Sequence, residues 1–187
     1  DFLVVTQCAD ELASLLPDAA RARVRKELRA VTVPVFVLHT VREKMRYDRT
    51  QLVVEAKKPF EIVLINDDFM AHNLAVVKPG TRAAVGAASA SMSPSQLDGK
   101  GRAYMPKTDD ILAAMRLVEP GRREKLAVPA IATPGEYEFV CTVPGHVNLM
   151  WGTLVVTDDV GKWLETHAAP AAAPAEPAGH EHVHEHR

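Results

Sequence analysis

"EYEFVCTVPGHVNLMWGTLVVT", residues 136 to 157, contains two strand-like runs separated by a turn. In "EYEFVC" the alternation puts Tyr137, Phe139 and Cys141 on one face and Glu136 and Glu138 on the other, so the thiol emerges on the core side at the strand's end. "GTLVVT" reads as the returning strand. The loop between them carries a thiol, an imidazole and a thioether: Cys141, His146 and Met150, spaced C-x4-H-x3-M. Pro144-Gly145 bends this loop so that the later side chains can face the first.

Outward from that hairpin, the same texture recurs. "VPVFVLH" (33–39), "QLVVEA" (51–56), "FEIVLIN" (60–66), "HNLAVV" (72–77), "AMRLV" (114–118) and "EKLAV" (124–128) bring the candidate strands to eight. Lys-Pro-Gly, Glu-Pro-Gly and Thr-Pro-Gly turns punctuate them. Such a series predicts an all-β antiparallel sandwich. "FEIVLIN" is apolar on both faces after Glu61, which predicts a cover on its outer side, with the segment before residue 31 as the available candidate. Residues 80–110 break the rhythm with small and polar residues and read as a flap with a helical turn or two. Its serines lack a G-x-S-x-G setting and are taken as turn and capping residues.

The ends have a different character. Residues 9–30 read as two short helices: Leu12, Leu15 and Leu16 mark the first, Pro17 interrupts, and Asp18 caps a second carrying Val24, Leu28 and Val31. Arg21, Arg23, Arg25, Lys26 and Arg29 make that second helix basic, which reads first as a solvated face. After the last strand, "DDVGKWLETH" predicts a short helix capped by Asp158 or Asp159. "AAPAAAPAEPAG" then reads as an extended or disordered linker, and "HEHVHEH" places His180, His182, His184 and His186 in a tract that either recruits metal loosely or is an idle solvated end. The expected organisation is therefore a helical extension (1–30), a β-sandwich domain (31–157) and a short helix with an Ala/Pro/His-rich tail (158–187).

The three side chains of the loop form most of one particular donor set. A copper site that must serve both Cu(I) and Cu(II) uses a soft thiolate, two imidazoles and a weak axial thioether. The missing imidazole should come from a distant strand, and His72 at the start of "HNLAVV" meets that need. Zinc competes for such residues but has little use for a thioether. A lone His is more often structural and a lone Met more often core, and Met45 and Met70 take that reading first. His39 and His167 have no clustered partners and receive no role.

"HN" at 72–73, followed downstream by "CTVPGHVNLMWGTLVV", resembles the small blue-copper proteins, the cupredoxins, in particular the azurin and auracyanin branch. The likeness covers about residues 31–157. It implies a Greek-key cupredoxin sandwich in which His72, Cys141 and His146 form a trigonal copper plane and Met150 is the axial ligand. It also implies that the Ala71 carbonyl lies opposite Met150, and that Asn73 ties the two ligand-bearing segments together. In the same likeness, backbone N–H groups of Asn73 and Val143 donate to the sulfur. Asn73 also admits a simpler reading as a turn amide. Lys58-Pro59 stands where azurin has a cysteine, and Ala71, Leu74 and Val143 replace the usual Gly and aromatics.

The function this implies is one-electron transfer with a single type 1 copper and no substrate transformed. His146 is the expected electron port, set in an apolar collar of Met45, Met70, Val143, Pro144, Val147 and Leu149 where redox protein partners dock transiently. Trp151 reads as ordinary packing. Copper buffering or delivery, using the site and the His-rich tail, is the alternative. A multicopper oxidase needs several H-x-H motifs, and these occur only in the tail.

The totals agree. At 187 residues, 47% hydrophobic and 25% charged, the chain has the composition of one cored globular domain with extensions. A net charge of −2 argues against nucleic acid as a partner. The longest apolar run, residues 31–38, is too short to span a bilayer. Cys8 and Cys141 allow one disulfide at most, and Cys8 is left over if Cys141 binds metal. The chain opens at Asp1 without the basic-then-apolar pattern of a secretory signal, so it is expected to be processed or part of something longer. The resemblance implies a periplasmic or otherwise exported setting.

Overall fold

The computed structural model describes residues 33–167 and, nearer the start, positions 15–17, 20, 21, 23 and 24. Among the described residues, nine strands form two sheets. The four-stranded sheet runs β2 (Arg46–Tyr47), β1 (Val35–Val41), β4 (Phe60–Ile65), β7 (Arg123–Val128). The five-stranded sheet runs β3 (Gln51–Glu55), β9 (Trp151–Thr157), β8 (Gly135–Val140), β5 (Ala75–Val77), β6 (Ile111–Ala114). Two pairings are parallel, β1 with β4 and β3 with β9, because the chain crosses between sheets in the Greek-key manner.

Alternation drives the assembly. Phe60, Ile62 and Leu64 of β4 face Leu52, Val54, Phe139, Leu154 and Val156 of the other sheet in one apolar cluster. Burying each such side chain contributes about 1.5–3 kcal/mol before chain entropy is charged against it. Gly152 belongs here for a steric reason. A Cβ on it would run into the Phe139 ring and lie 2.7 Å from the Thr50 carbonyl oxygen, so only glycine lets β9 lie this close.

The flap contains a full helix, α1 (Arg82–Ala90), rather than a turn or two. Its Val85 joins Met105, Ala75, Val77, Ala114 and Val140 in a second, smaller core on the outer face of the five-stranded sheet. This explains why all three residues of β5 are buried.

Two strands differ from expectation. "AMRLV" is not a strand: β6 lies earlier, at Ile111–Ala114, and Met115 and Val118 are instead buried apolar anchors after it. Past Ala114 the ladder lapses into an amide bond from Met115 to the Leu74 carbonyl and an isolated bridge between Val118 and His72. β5 correspondingly starts at Ala75 rather than His72. The outward residues of β4, Glu61, Val63 and Ile65, are half-buried, with Glu61 paired to Lys125 across the strand at 2.8 Å.

Past the sandwich, α2 (Val160–His167) is capped by Asp159, whose carboxylate accepts from the Lys162 amide at 3.0 Å. Near the start, positions 20, 21, 23 and 24 are helical, while most of the expected helices, Cys8, and the Ala/Pro/His-rich tail lie outside the described residues. Among the described residues, no helix is long and apolar enough to cross a membrane.

Candidate metal centre

The loop between β4 and β5 carries His72, and Thr40 and Asn66, both buried, shape it. The Thr40 hydroxyl donates to Asn66 Oδ1 at 2.9 Å and accepts from the Asp67 and Asp68 amides. Asn66 Nδ2 then donates to the carbonyls of Met70 and Val118, each at 2.7 Å. His72 is locked from the other side by reciprocal backbone bonds with Val118, at 3.2 and 2.7 Å.

Cys141 follows directly on β8, its amide donating to the Met150 carbonyl at 2.9 Å. Pro144-Gly145 makes the tight turn that the sequence suggested. Gly145 has φ of 86°, and the His146 amide closes the turn on the Val143 carbonyl at 3.0 Å, as a type II turn requires. The amides of Leu149 and Met150 both bond back to the His146 carbonyl. The loop is thus folded on itself around His146.

These two segments bring three donors together. Cys141 Sγ lies 3.9 Å from His72 Nδ1 and 3.5 Å from His146 Nδ1, and the three atoms all fall within 4.8 Å of one another. A first-row metal about 2.3 Å from a thiolate and about 2.0–2.1 Å from each imidazole, in one plane, separates its donors by roughly 3.7 Å. The residues therefore fit a metal of that size. Met150 is fully buried, belongs to the same apolar cluster as Cys141, and accepts the Cys141 amide hydrogen on its carbonyl.

Asn73 fastens the segments. Its side-chain amide donates to the Thr142 hydroxyl at 2.8 Å, and its side-chain oxygen accepts from the Thr142 amide at 2.8 Å, all of it buried. The backbone N–H groups of Asn73 and Val143 donate to the Cys141 sulfur, in agreement with the resemblance. Ala71 is half-buried next to His72.

The environment suits neutral ligands before metal arrives. Burial pushes the Cys141 thiol up to about 11 despite those two amide donors. Burial also lowers His72, against the pull of Asp68, and lowers His146, to which His72 adds a like-charge contribution. At neutral pH a dication therefore displaces one proton, from sulfur.

Sequence reading missed three residues. Asp68 is buried, and its Oδ2 lies 3.1 Å from His72 Nε2. Burial alone would raise its carboxyl, but the Glu43 and Phe69 amides and the His72 ring hold it below the ordinary carboxylate range. The only cue was an acidic residue four positions before the histidine. Tyr47 is fully buried between the sheets and donates to the Asn73 carbonyl at 2.7 Å. Arg82 ties α1 to the ligand loop: its guanidinium donates to Glu138 at 2.7 Å and to the Val147 carbonyl at 2.9 Å, and it stacks 4.2 Å over Trp151.

Around this end the collar residues Met45, Met70 and Leu149 are exposed, and Val143, Pro144 and Val147 half-buried. Phe69 is also exposed, with the Arg42 guanidinium 3.9 Å over its ring. His146 itself keeps 4% exposure. His39 pairs with Asp67 at 2.6 Å and His167 stacks on Trp163, both apart from the donor cluster.

Comparison with known proteins points the same way. The model of copper binding proteins of the plastocyanin/azurin family matches residues 35–157. Auracyanin-A of Chloroflexus aurantiacus is 34% identical over 116 residues, which cover 61% of this chain and 68% of that protein. Outer membrane protein H.8 of Neisseria meningitidis serogroup B is 35% identical over 95 residues, 48% of this chain and 46% of that protein. The solved structure of auracyanin A, a "blue" copper protein from Chloroflexus aurantiacus, superimposes with a TM-score of 0.60 at 29% identity, covering 67% of this chain and all of that one.

Proposed function

Because the chain belongs to the plastocyanin/azurin family of copper-binding proteins, we propose that it carries single electrons between redox partners on one type 1 copper that His72, Cys141, His146 and Met150 would hold. The observation that carries this reading is the convergence of both Nδ1 atoms on the Cys141 sulfur. Copper, when bound, supplies the one-electron couple. The protein supplies a fixed frame. Ligands drawn from two remote segments and tied by Asn73 and Thr142 keep their positions in both oxidation states, and the apolar cluster around Met150 excludes water. Asn73 and Val143 donate to the sulfur and stabilise its negative charge.

Cupredoxins are electron carriers rather than enzymes. Electrons are proposed to pass at the His146 edge, through the apolar collar to which Phe69 is now added. A small apolar contact suits a partner that docks, exchanges and leaves, since redox encounters bury less than about 1,200 Å². In this reading residues 31–157 are the copper domain, Ala71 offers its carbonyl to the site, and the setting is exported. Copper delivery fits less well. The three donors are at most 4% exposed, which opposes ready exchange.

The test is addition of Cu(II) to the purified protein with visible absorption and electron paramagnetic resonance, repeated with Cys141→Ser. An intense thiolate-to-copper band in the parent, lost in the variant, is expected. A parent protein without that band would overturn the reading, and rapid copper loss to a chelator would favour delivery.

A further inference from the structure

Asp68 is a buried carboxylate with an unusual position: one imidazole away from the proposed copper. Its Oδ2 lies 3.1 Å from His72 Nε2, and its Oδ1 accepts from the amides of Phe69 at 2.7 Å and Glu43 at 3.2 Å. Both oxygens are thereby fixed, and among the described residues no lysine or arginine pairs with it. We propose that Asp68 is a positioning residue that keeps His72 protonated at Nε2, leaving Nδ1 free for copper, and that its uncompensated charge biases the site toward Cu(II). This rests on the electron-carrier reading above.

Two physical arguments support it. A carboxylate on the far nitrogen of a metal-ligating histidine fixes tautomer and ring orientation and makes the ligand more basic. The charge count then sets the preference between oxidation states. With the Cys141 thiolate and the Asp68 carboxylate, Cu(II) leaves the pocket neutral, whereas one added electron leaves it with a net negative charge. In a site shielded from water such an imbalance is weakly screened. Nothing else need change on reduction: one electron enters, and no proton or bond is exchanged. The protein is thus expected to be a lower-potential carrier than the same site without this carboxylate.

Asp68→Asn keeps the size and one oxygen but removes the charge. With copper bound, its affinity for Cu(II) relative to Cu(I) should fall on the order of tenfold, which is a rise of about 59 mV in the midpoint potential measured by voltammetry. The thiolate-to-copper band should persist. A purely structural role would weaken both oxidation states equally and leave the potential in place, so an unchanged potential overturns the proposal. The copper-free parent gives a second readout that needs no variant. Nitrogen chemical shifts of His72 should show Nε2 protonated and Nδ1 bare, and the opposite tautomer overturns the proposal even if Asp68→Asn fails to fold. A parent that shows no thiolate-to-copper band sinks the carrier reading and this one together. A parent with the band and a variant with an unmoved potential sinks only this one.

Discussion

Replacing Asn73 with alanine removes the fastener between the His72 segment and the ligand loop, and its cost can be worked from the contacts. The Thr142 amide loses its acceptor at 2.8 Å and is left as a buried, unsatisfied donor, which costs about 1–3 kcal/mol. The bond from the Asn73 amide to the Thr142 hydroxyl adds about 0.5–1.5 kcal/mol. Together they come to about 1.5–4.5 kcal/mol, a large share of the stability of an ordinary domain. The assay is urea unfolding of the copper-free protein, where the midpoint should fall with an unchanged slope. Thr142→Ala removes only the hydroxyl bond, so in a double-mutant cycle the pair should couple by about 1 kcal/mol. The sulfur keeps its donor from the Asn73 backbone, so the copper-loaded variant should keep its thiolate band while being easier to unfold. A loss under about 0.5 kcal/mol, or strict additivity with Thr142→Ala, would refute the claim that this pair holds the site together.

Two further outcomes follow from the same geometry. Gly86→Ala should destabilise by about 1–3 kcal/mol, against helix propensity, which favours alanine by about 1 kcal/mol. The new Cβ would strike Val147, lying 2.6 Å from its Cγ1, and displace the neighbour of His146, so both the thermal midpoint and the copper band should shift; a more stable variant contradicts this. The Cys141 thiol gives a pH dependence with a definite sign. Its pKa is about 11 folded against an ordinary 9.0, so between those values the unfolded chain releases a proton that the folded chain keeps. Copper-free stability should therefore be unaffected by this group below pH 9.0 and fall by about 1.4 kcal/mol per pH unit as pH rises toward 11. Unfolding measured from pH 8 upward should show that loss in the parent relative to Cys141→Ala, and parallel curves would rule it out.

The donors were legible because soft ligand types are rare in combination and three of the expected ones crowd one short loop that begins at the end of an alternating strand. Tyr137, Phe139 and Cys141 share a buried face as the period-two pattern requires. The two-residue strand β2 was not legible, since "RY" has no period, yet it seats Tyr47 against Phe139 at 5.5 Å and on the Asn73 carbonyl. "AMRLV" misled for the opposite reason. Its apolar residues are buried, but as anchors of an irregular segment whose amides bond to Leu74 and His72 rather than along a continuous ladder. Asp68 was hidden by its type: acidic residues in a loop are normally solvated, and only tertiary packing places this one against an imidazole. Phe69 in "NDDFM" likewise carried no periodic signal.

The interior place of β9 in the five-stranded sheet governs when the molecule can form. Gln51 pairs with Thr153, and β9 lies between β3 and β8, so the larger sheet cannot close until the chain as far as residue 157 has emerged from the ribosome. Such remote pairing makes closure slow, because the entropy of joining distant segments is spent before their contacts form. The ligands span residues 72 to 150 and become a pocket only with that last strand in place. Chains that stop short of β9 therefore cannot retain an ion in this pocket, and loading waits for that strand.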